Sequence, residues 1–339
     1  MRIAFKFLFW VLKVFLKILI LLIIVIALAG WWGLKKVNIK EPKLFGVTYS
    51  ARNAEDFGMS RKGVFTEILD DLKVRHIRLP VYWTEVEKEN NKYDFSEIDW
   101  QLREAEKREA EIILAVGRKL PRWPECFVPK WVSAKKDRNF EEAELFEYIE
   151  TTVQRYKNSP ALKIWQVENE PFLPFGRECS LFGDKVLEKE IAIVKKIDGA
   201  HPVLITDSGE LSFWVRAAKR SDIFGTTMYR EIWNEYLGFF TYPLPSQFFR
   251  VKLALTELIA GKRPAIVSEL QAEPWQKKQS YELSPEDTLS VFDLNQFKDH
   301  IIYAKNSGFD EFYLWGVEWW YWLKINGHPE IWNEAKKLF

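Results

Sequence analysis

The sequence predicts a (β/α)8 TIM barrel preceded by one N-terminal transmembrane helix. Short apolar runs recur eight times, and helix-forming stretches separate them. No Gly-rich dinucleotide or phosphate-loop signature follows any of these runs, which removes the usual marks of a doubly wound open sheet. Each parallel return needs a crossover, so this alternation points to a closed barrel.

Residues 1–37 differ from all that follow. Ile18 to Leu34 carries no charge, Trp31 and Trp32 stand where an interfacial aromatic belt sits, and Lys35-Lys36 close the run. Arg2, Lys6, Lys13 and Lys17 fall on one stripe of a helix, suited to lying along anionic headgroups or snorkelling from the end of a span. The segment is expected to be an uncleaved single-pass anchor in a lipid bilayer. Ala27-Leu28-Ala29 also fits a signal-peptidase site, but the apolar run continues through the aromatic pair beyond it. Lysines on both flanks weaken the positive-inside rule; the short basic tail favours a cytoplasmic N-terminus and an extracytoplasmic domain.

Residues 38–43 read as a linker, and 44–339 as the catalytic barrel. Its strands are expected at Leu44–Thr48, His76–Pro80, Ile112–Gly117, Ile164–Val167, Val203–Thr206, Ile223–Met228, Ala265–Ser268 and Phe312–Gly316. Helices are expected at Lys62–Lys73, Ser96–Arg108, Glu141–Tyr156, Lys185–Ile197, Leu211–Arg220, Phe248–Ile259 and Asn295–Asn306, with a short last one from Pro329. In such a barrel the residues after each strand converge on one face. Here that face gathers carboxylates, guanidinium groups and aromatics, and little His or Cys.

With 339 residues, of which 47% are hydrophobic and 29% charged, the chain can bury one large core. A net charge of +1 gives no broad electrostatic reason for a nucleic-acid partner. Sixteen Trp, twelve Tyr and twenty-five Phe suit packing, and also the flat platforms on which sugars stack. His76, His201, His300 and His328 are scattered without metal-ligand spacing, so no metal or cofactor is expected. Ser208 in Asp207-Ser208-Gly209 lacks the leading Gly-x of a nucleophile elbow. Cys126 and Cys179 allow two free thiols or, on loops after neighbouring strands, one disulfide.

Two carboxyl groups suffice to cleave a glycosidic bond. One gives a proton to the leaving oxygen, while the other attacks the anomeric carbon from about 5–5.5 Å away in retaining enzymes. Glu170, in Trp165-Gln166-Val167-Glu168-Asn169-Glu170-Pro171 at the end of the fourth strand, and Glu269 after the seventh can face each other across the mouth. Periodicity alone does not choose between Glu168 and Glu170, which alternation puts on the same side, and Glu273 competes with Glu269 in the same way. Arg78 reads equally as a structural ion-pair partner and Tyr229 as core. The Trp319-Trp320-Trp322 cluster is packing or a sugar subsite, and Glu210 and Glu318 read as substrate-contacting or solvent-facing.

Val167 to Pro171, Ile266-Val267-Ser268-Glu269, Ile77-Arg78-Leu79-Pro80, Tyr93-Asp94-Phe95-Ser96 and Trp315 together resemble the clan A (β/α)8 glycoside hydrolases of the family 5 cellulase-like kind. The likeness runs from about Phe45 to Trp322. It implies that Glu170 is the acid/base, Asn169 the partner of the sugar 2-hydroxyl, Glu269 the nucleophile, Tyr229 and Arg78 its orienting partners, and Trp315 the floor under the ring being cleaved. An oligo- or polysaccharide is the implied substrate, and a transglycosylase would share these residues. A barrel that binds cell-surface glycans without cleaving them is the alternative from another class. The sugar, and internal against terminal cleavage, depend on loops such as those at residues 118–130, 171–184 and 230–247.

Overall fold

The computed structural model describes residues 12–21, 41–176 and 183–339. Eight parallel strands close into one barrel: β1 (Leu44–Thr48), β2 (His76–Pro80), β3 (Glu111–Val116), β4 (Leu162–Val167), β5 (Val203–Asp207), β6 (Ile223–Met228), β7 (Ala265–Gln271) and β8 (Glu311–Trp315). Every predicted run is a strand, and the strands pair in chain order. The last closes on the first with Phe45 opposite Phe312 and Thr48 opposite Trp315.

The helices Arg61–Asp70, Ser96–Glu106, Arg138–Tyr156, Asp184–Ile197, Gln247–Ala260 and Leu294–Lys305 lie close to their expected places. Caps set several of their starts. Ser60 Oγ accepts the Gly63 N–H at 3.1 Å, and Asp293 forms a reciprocal capping box with Gln296.

Two stretches depart from expectation. Only Val215–Ala218 is helical within the predicted 211–220 helix, because Ser208 holds the preceding loop: its Oγ accepts the Leu211 N–H at 3.3 Å and its carbonyl accepts the Trp214 indole at 2.9 Å. Val317–Ile325 is a helix the sequence reading did not foresee. Its Trp319 and Trp320 are fully buried, and their indoles donate to Thr288 Oγ1 at 3.1 Å and the Ala272 carbonyl at 2.7 Å. Those two rings are packing, not a sugar platform.

Residues 12–21 are helical. Among the described residues no helix is long and apolar enough to cross a membrane; the span expected at 18–34 lies outside them from residue 22 onward. Cys126 is disulfide-bonded, which removes the reading of two free thiols, and Cys179 lies outside the described residues.

The barrel interior has two layers of different character. Ile113, Ile164, Leu204, Ile266 and Tyr313 form an apolar plug. Gly46 makes room for it, since a Cβ there would fall 2.8 Å from the Tyr313 ring and 2.4 Å from the His76 carbonyl. Nearer the strands' C-terminal ends the interior holds Thr48, Arg78, Gln166, Thr206 and Ser268, all buried. A second apolar layer would stabilise the fold more, because burying a guanidinium carries a desolvation cost. This polar layer underlies the barrel mouth.

Candidate active site

Glu170 and Glu269 reach the mouth by two different departures from regular strand geometry. β4 ends at Val167, and Glu168 and Glu170 then both adopt the left-handed conformation, with φ of 59° and 45°. Strand alternation therefore does not apply to them. The Glu168 carboxylate turns sideways to accept the backbone N–H groups of Arg118 at 2.9 Å and Lys119 at 2.7 Å. It caps the loop after β3, and Gly117, at φ 134°, is required there because a Cβ would lie 2.6 Å from Glu168 Oε1. Glu170 instead enters the mouth: its backbone N–H donates to Thr206 Oγ1 at 2.9 Å, and Thr227 Oγ1 donates to its Oε1 at 3.3 Å.

In β7 the register against β6 and β8 shifts around Ser268 and Glu269. Ile266 faces the inner plug and Val267 the outer core. Alternation alone would send Glu269 outward, and the bulge re-aims it to the interior while returning Leu270 to the outer core. β7 thus runs three residues beyond its predicted end, to Gln271.

Arg78 ties these pieces together. It is fully buried, and its fork donates to Gln166 Oε1 at 2.6 Å, Asn169 Oδ1 at 2.6 Å and Glu269 Oε1 at 2.9 Å. Tyr229 Oη donates to the other Glu269 oxygen at 3.0 Å. Donors on both oxygens hold that carboxylate in a fixed orientation. Asn169 Oδ1 also accepts from Gln166 Nε2 at 3.3 Å and Thr206 Oγ1 at 3.2 Å. Three donors on the oxygen fix the amide orientation and leave its NH2 as the group presented to a ligand.

The electrostatics separate the two acids. Burial, reinforced by the nearby Glu269 and Glu125 carboxylates, holds Glu170 well above the ordinary carboxylate range, which favours its protonated form. A buried proton donor faces a carboxylate held by a guanidinium and a phenol. That pair can protonate a leaving oxygen and supply a nucleophile.

The structure brings Arg78, Asn169, Glu170, Tyr229 and Glu269 to one place. Trp315 stands at the end of β8, with the Arg122 guanidinium 4.2 Å from its ring centre. Glu273 pairs with Arg122 and is not the inward-facing acid of β7. Glu318 is neither solvent-facing nor placed to meet substrate: it is fully buried and paired with Arg122 at 2.6 Å. Glu210 is half-buried. It accepts the Tyr229 N–H at 2.8 Å, and burial pushes its carboxyl up to about 8.

Several site residues escaped the sequence reading. Lys119 Nζ donates to the carbonyls of Glu170 at 3.0 Å and Leu173 at 2.8 Å, fixing the loop that carries the acid. Glu125, in the loop after β3, is pushed to about 7 by burial, opposed by Lys119 and reinforced by Glu269. Thr206, Thr227 and Gln166 supply the remaining hydrogen bonds. An unusually polar strand end in Thr206, Thr226 and Thr227 was the one signal available for them.

No protein-family model matches the chain, and no curated protein matches it. Solved structures do. A β-galactosidase from Rahnella sp. R3 aligns at a TM-score of 0.59 and 13% identity over 88% of this chain and 55% of its own. GH5_18 from Bifidobacterium longum subsp. longum aligns at 0.56 and 14%, over 80% and 69%. GH5_18 from Streptomyces cattleya, solved in complex with GlcNAc, aligns at 0.54 and 12%, over 81% and 70%. The chain spans about half the length of the β-galactosidases it matches. At these identities the likeness is one of fold: the chain has the closed (β/α)8 barrel seen in GH5 and other glycoside hydrolases.

Proposed function

We propose that this protein is a retaining glycoside hydrolase acting on β-linked sugars by double displacement. The observation that carries the reading is Glu269, bonded by Arg78 and Tyr229, sharing the barrel mouth with a buried Glu170 whose environment favours the protonated form. In the first step Glu269 attacks the anomeric carbon, the bond to the leaving oxygen breaks, and Glu170 gives that oxygen its proton. In the second, water attacks the glycosyl ester, Glu170 takes the water's proton, and Glu269 leaves as a carboxylate. Asn169 would donate to the sugar 2-hydroxyl, and Trp315 would lie under the ring.

The barrel is anchored in the membrane through residues 18–34 and stands on the extracytoplasmic side. Support comes from the uncharged run with its basic flanks, and from the disulfide at Cys126, since disulfides persist in oxidising compartments. A reporter fused after Phe339 that is active only in the cytoplasm would sink this placement.

The test of the chemistry is Glu269→Gln, which should remove nearly all turnover of an activated aryl glycoside. Glu269→Ala should regain part of it with azide, giving a glycosyl azide of inverted configuration. Wild-type activity in both variants refutes the assignment. Tight glycan binding without any product from the native protein would favour a binding barrel, and products built on sugar acceptors a transglycosylase.

A further inference from the structure

Resting on the glycosidase reading, we infer that the cleft is closed one sugar beyond the scissile bond on its non-reducing side, so the enzyme removes single terminal sugars. The closure is built around Arg122. From the loop after β3 its guanidinium crosses the mouth to Glu273 after β7 and to Glu318 after β8, the latter at 2.6 Å. The second Glu318 oxygen accepts the Ser50 N–H after β1. Tyr82 Oη, after β2, bonds Ser50 Oγ at 2.8 Å and the Pro121 carbonyl at 2.9 Å. Loops from β1, β2, β3, β7 and β8 are therefore joined by one polar plug.

The plug is not a surface feature that substrate could brush aside. Arg122 is 8% exposed and Glu318 fully buried, so displacing either strands a charge without its counter-charge. Arg122 also stands 4.2 Å from the centre of the Trp315 ring, so a sugar held against the half-exposed Trp315 meets the guanidinium on that side. Glu170 and Glu269 are only 5% and 4% exposed, which suits a blind pocket and not an open groove.

Which end is closed follows from where the acids stand. The plug takes its two carboxylates from the loops after β7 and β8, beside the nucleophile that retains the glycosyl half, and its guanidinium from the loop after β3. The leaving half departs past Glu170 toward the loops after β5 and β6. There Phe213 is 91% exposed, and Tyr236, at the tip of a hairpin of Glu231–Asn234 and Gly238–Thr241, is 87% exposed. The substrate class is a glycan or glycoconjugate with an accessible non-reducing terminal sugar, the remainder extending over that hairpin.

The experiment follows the first products formed from oligosaccharides labelled at the reducing end, alongside aryl glycosides of single sugars. The expected result is turnover of a single-sugar aryl glycoside and labelled products shortened one residue at a time. Early products shortened by two or more residues, or loss from the labelled end, overturn the inference while leaving the glycosidase reading intact. No cleavage of any glycoside refutes that reading and this inference with it. The triple variant Arg122→Ala with Glu273→Gln and Glu318→Gln avoids a stranded buried carboxylate. It should raise the share of internal cuts at least tenfold, and an unchanged product pattern in the folded variant counts against the plug.

Discussion

Replacing Tyr229 by Phe removes one hydroxyl and leaves the rest of the pocket in place. The ring keeps its edge contact with Trp275 at 5.1 Å, and Glu269 keeps Arg78 at 2.9 Å. What is lost is a 3.0 Å hydrogen bond to a carboxylate that is 4% exposed. Bonds of this kind contribute about 1.5–3 kcal/mol, and about 1.4 kcal/mol is tenfold in rate. The expected fall in kcat/KM is therefore roughly 10- to 150-fold for an aryl glycoside with a good leaving group. The thermal midpoint should hardly move, because the cavity left is one oxygen in size. A fall under about threefold would make Tyr229 a packing residue, whereas a fall beyond about a thousandfold would mean it does more than orient Glu269.

Three further outcomes are expected. Because Glu170 must be protonated to act, kcat/KM should fall as pH rises through its raised pKa. Glu125→Gln removes a negative neighbour that raises it and should move that alkaline limb to lower pH, and a limb that stays put or moves up rejects the coupling. Glu168→Gln keeps one acceptor for the Arg118 and Lys119 N–H groups, so its activity should stay within about tenfold of wild type. Glu170→Gln should lose about a hundredfold or more on a substrate with a poor leaving group, and equal losses in the two variants would undo the distinction. Gly117→Ala sets a Cβ 2.6 Å from Glu168 Oε1 at φ 134°, which should lower stability by about 1–3 kcal/mol in a denaturant melt; an unshifted midpoint contradicts the packing described.

The barrel was legible because its strands are buried on both faces and so read as apolar runs between helical stretches. The acids were legible only as candidates. Glu168 and Glu170 are equivalent under alternation, and the left-handed turn that separates them leaves no mark in the composition of Val167 to Pro171. Glu269 was placed after a strand when it lies within one, because a bulge is a register effect between β6, β7 and β8 that one strand's sequence does not display. Arg122 was invisible for a different reason. Its partners Glu273 and Glu318 lie 151 and 196 residues away, and only barrel closure brings those loops together. The Trp319-Trp320 pair shows the opposite hazard: a row of aromatics suited to sugars proved to be a buried helix face.

The central claim is that Glu269 attacks and Glu170 protonates. It is tested most directly by following the configuration of the first-formed sugar by NMR, using the native protein and an aryl β-glycoside that it turns over. Double displacement predicts that the β-anomer appears first and then mutarotates. First appearance of the α-anomer would show a single displacement and contradict the role given to Glu269.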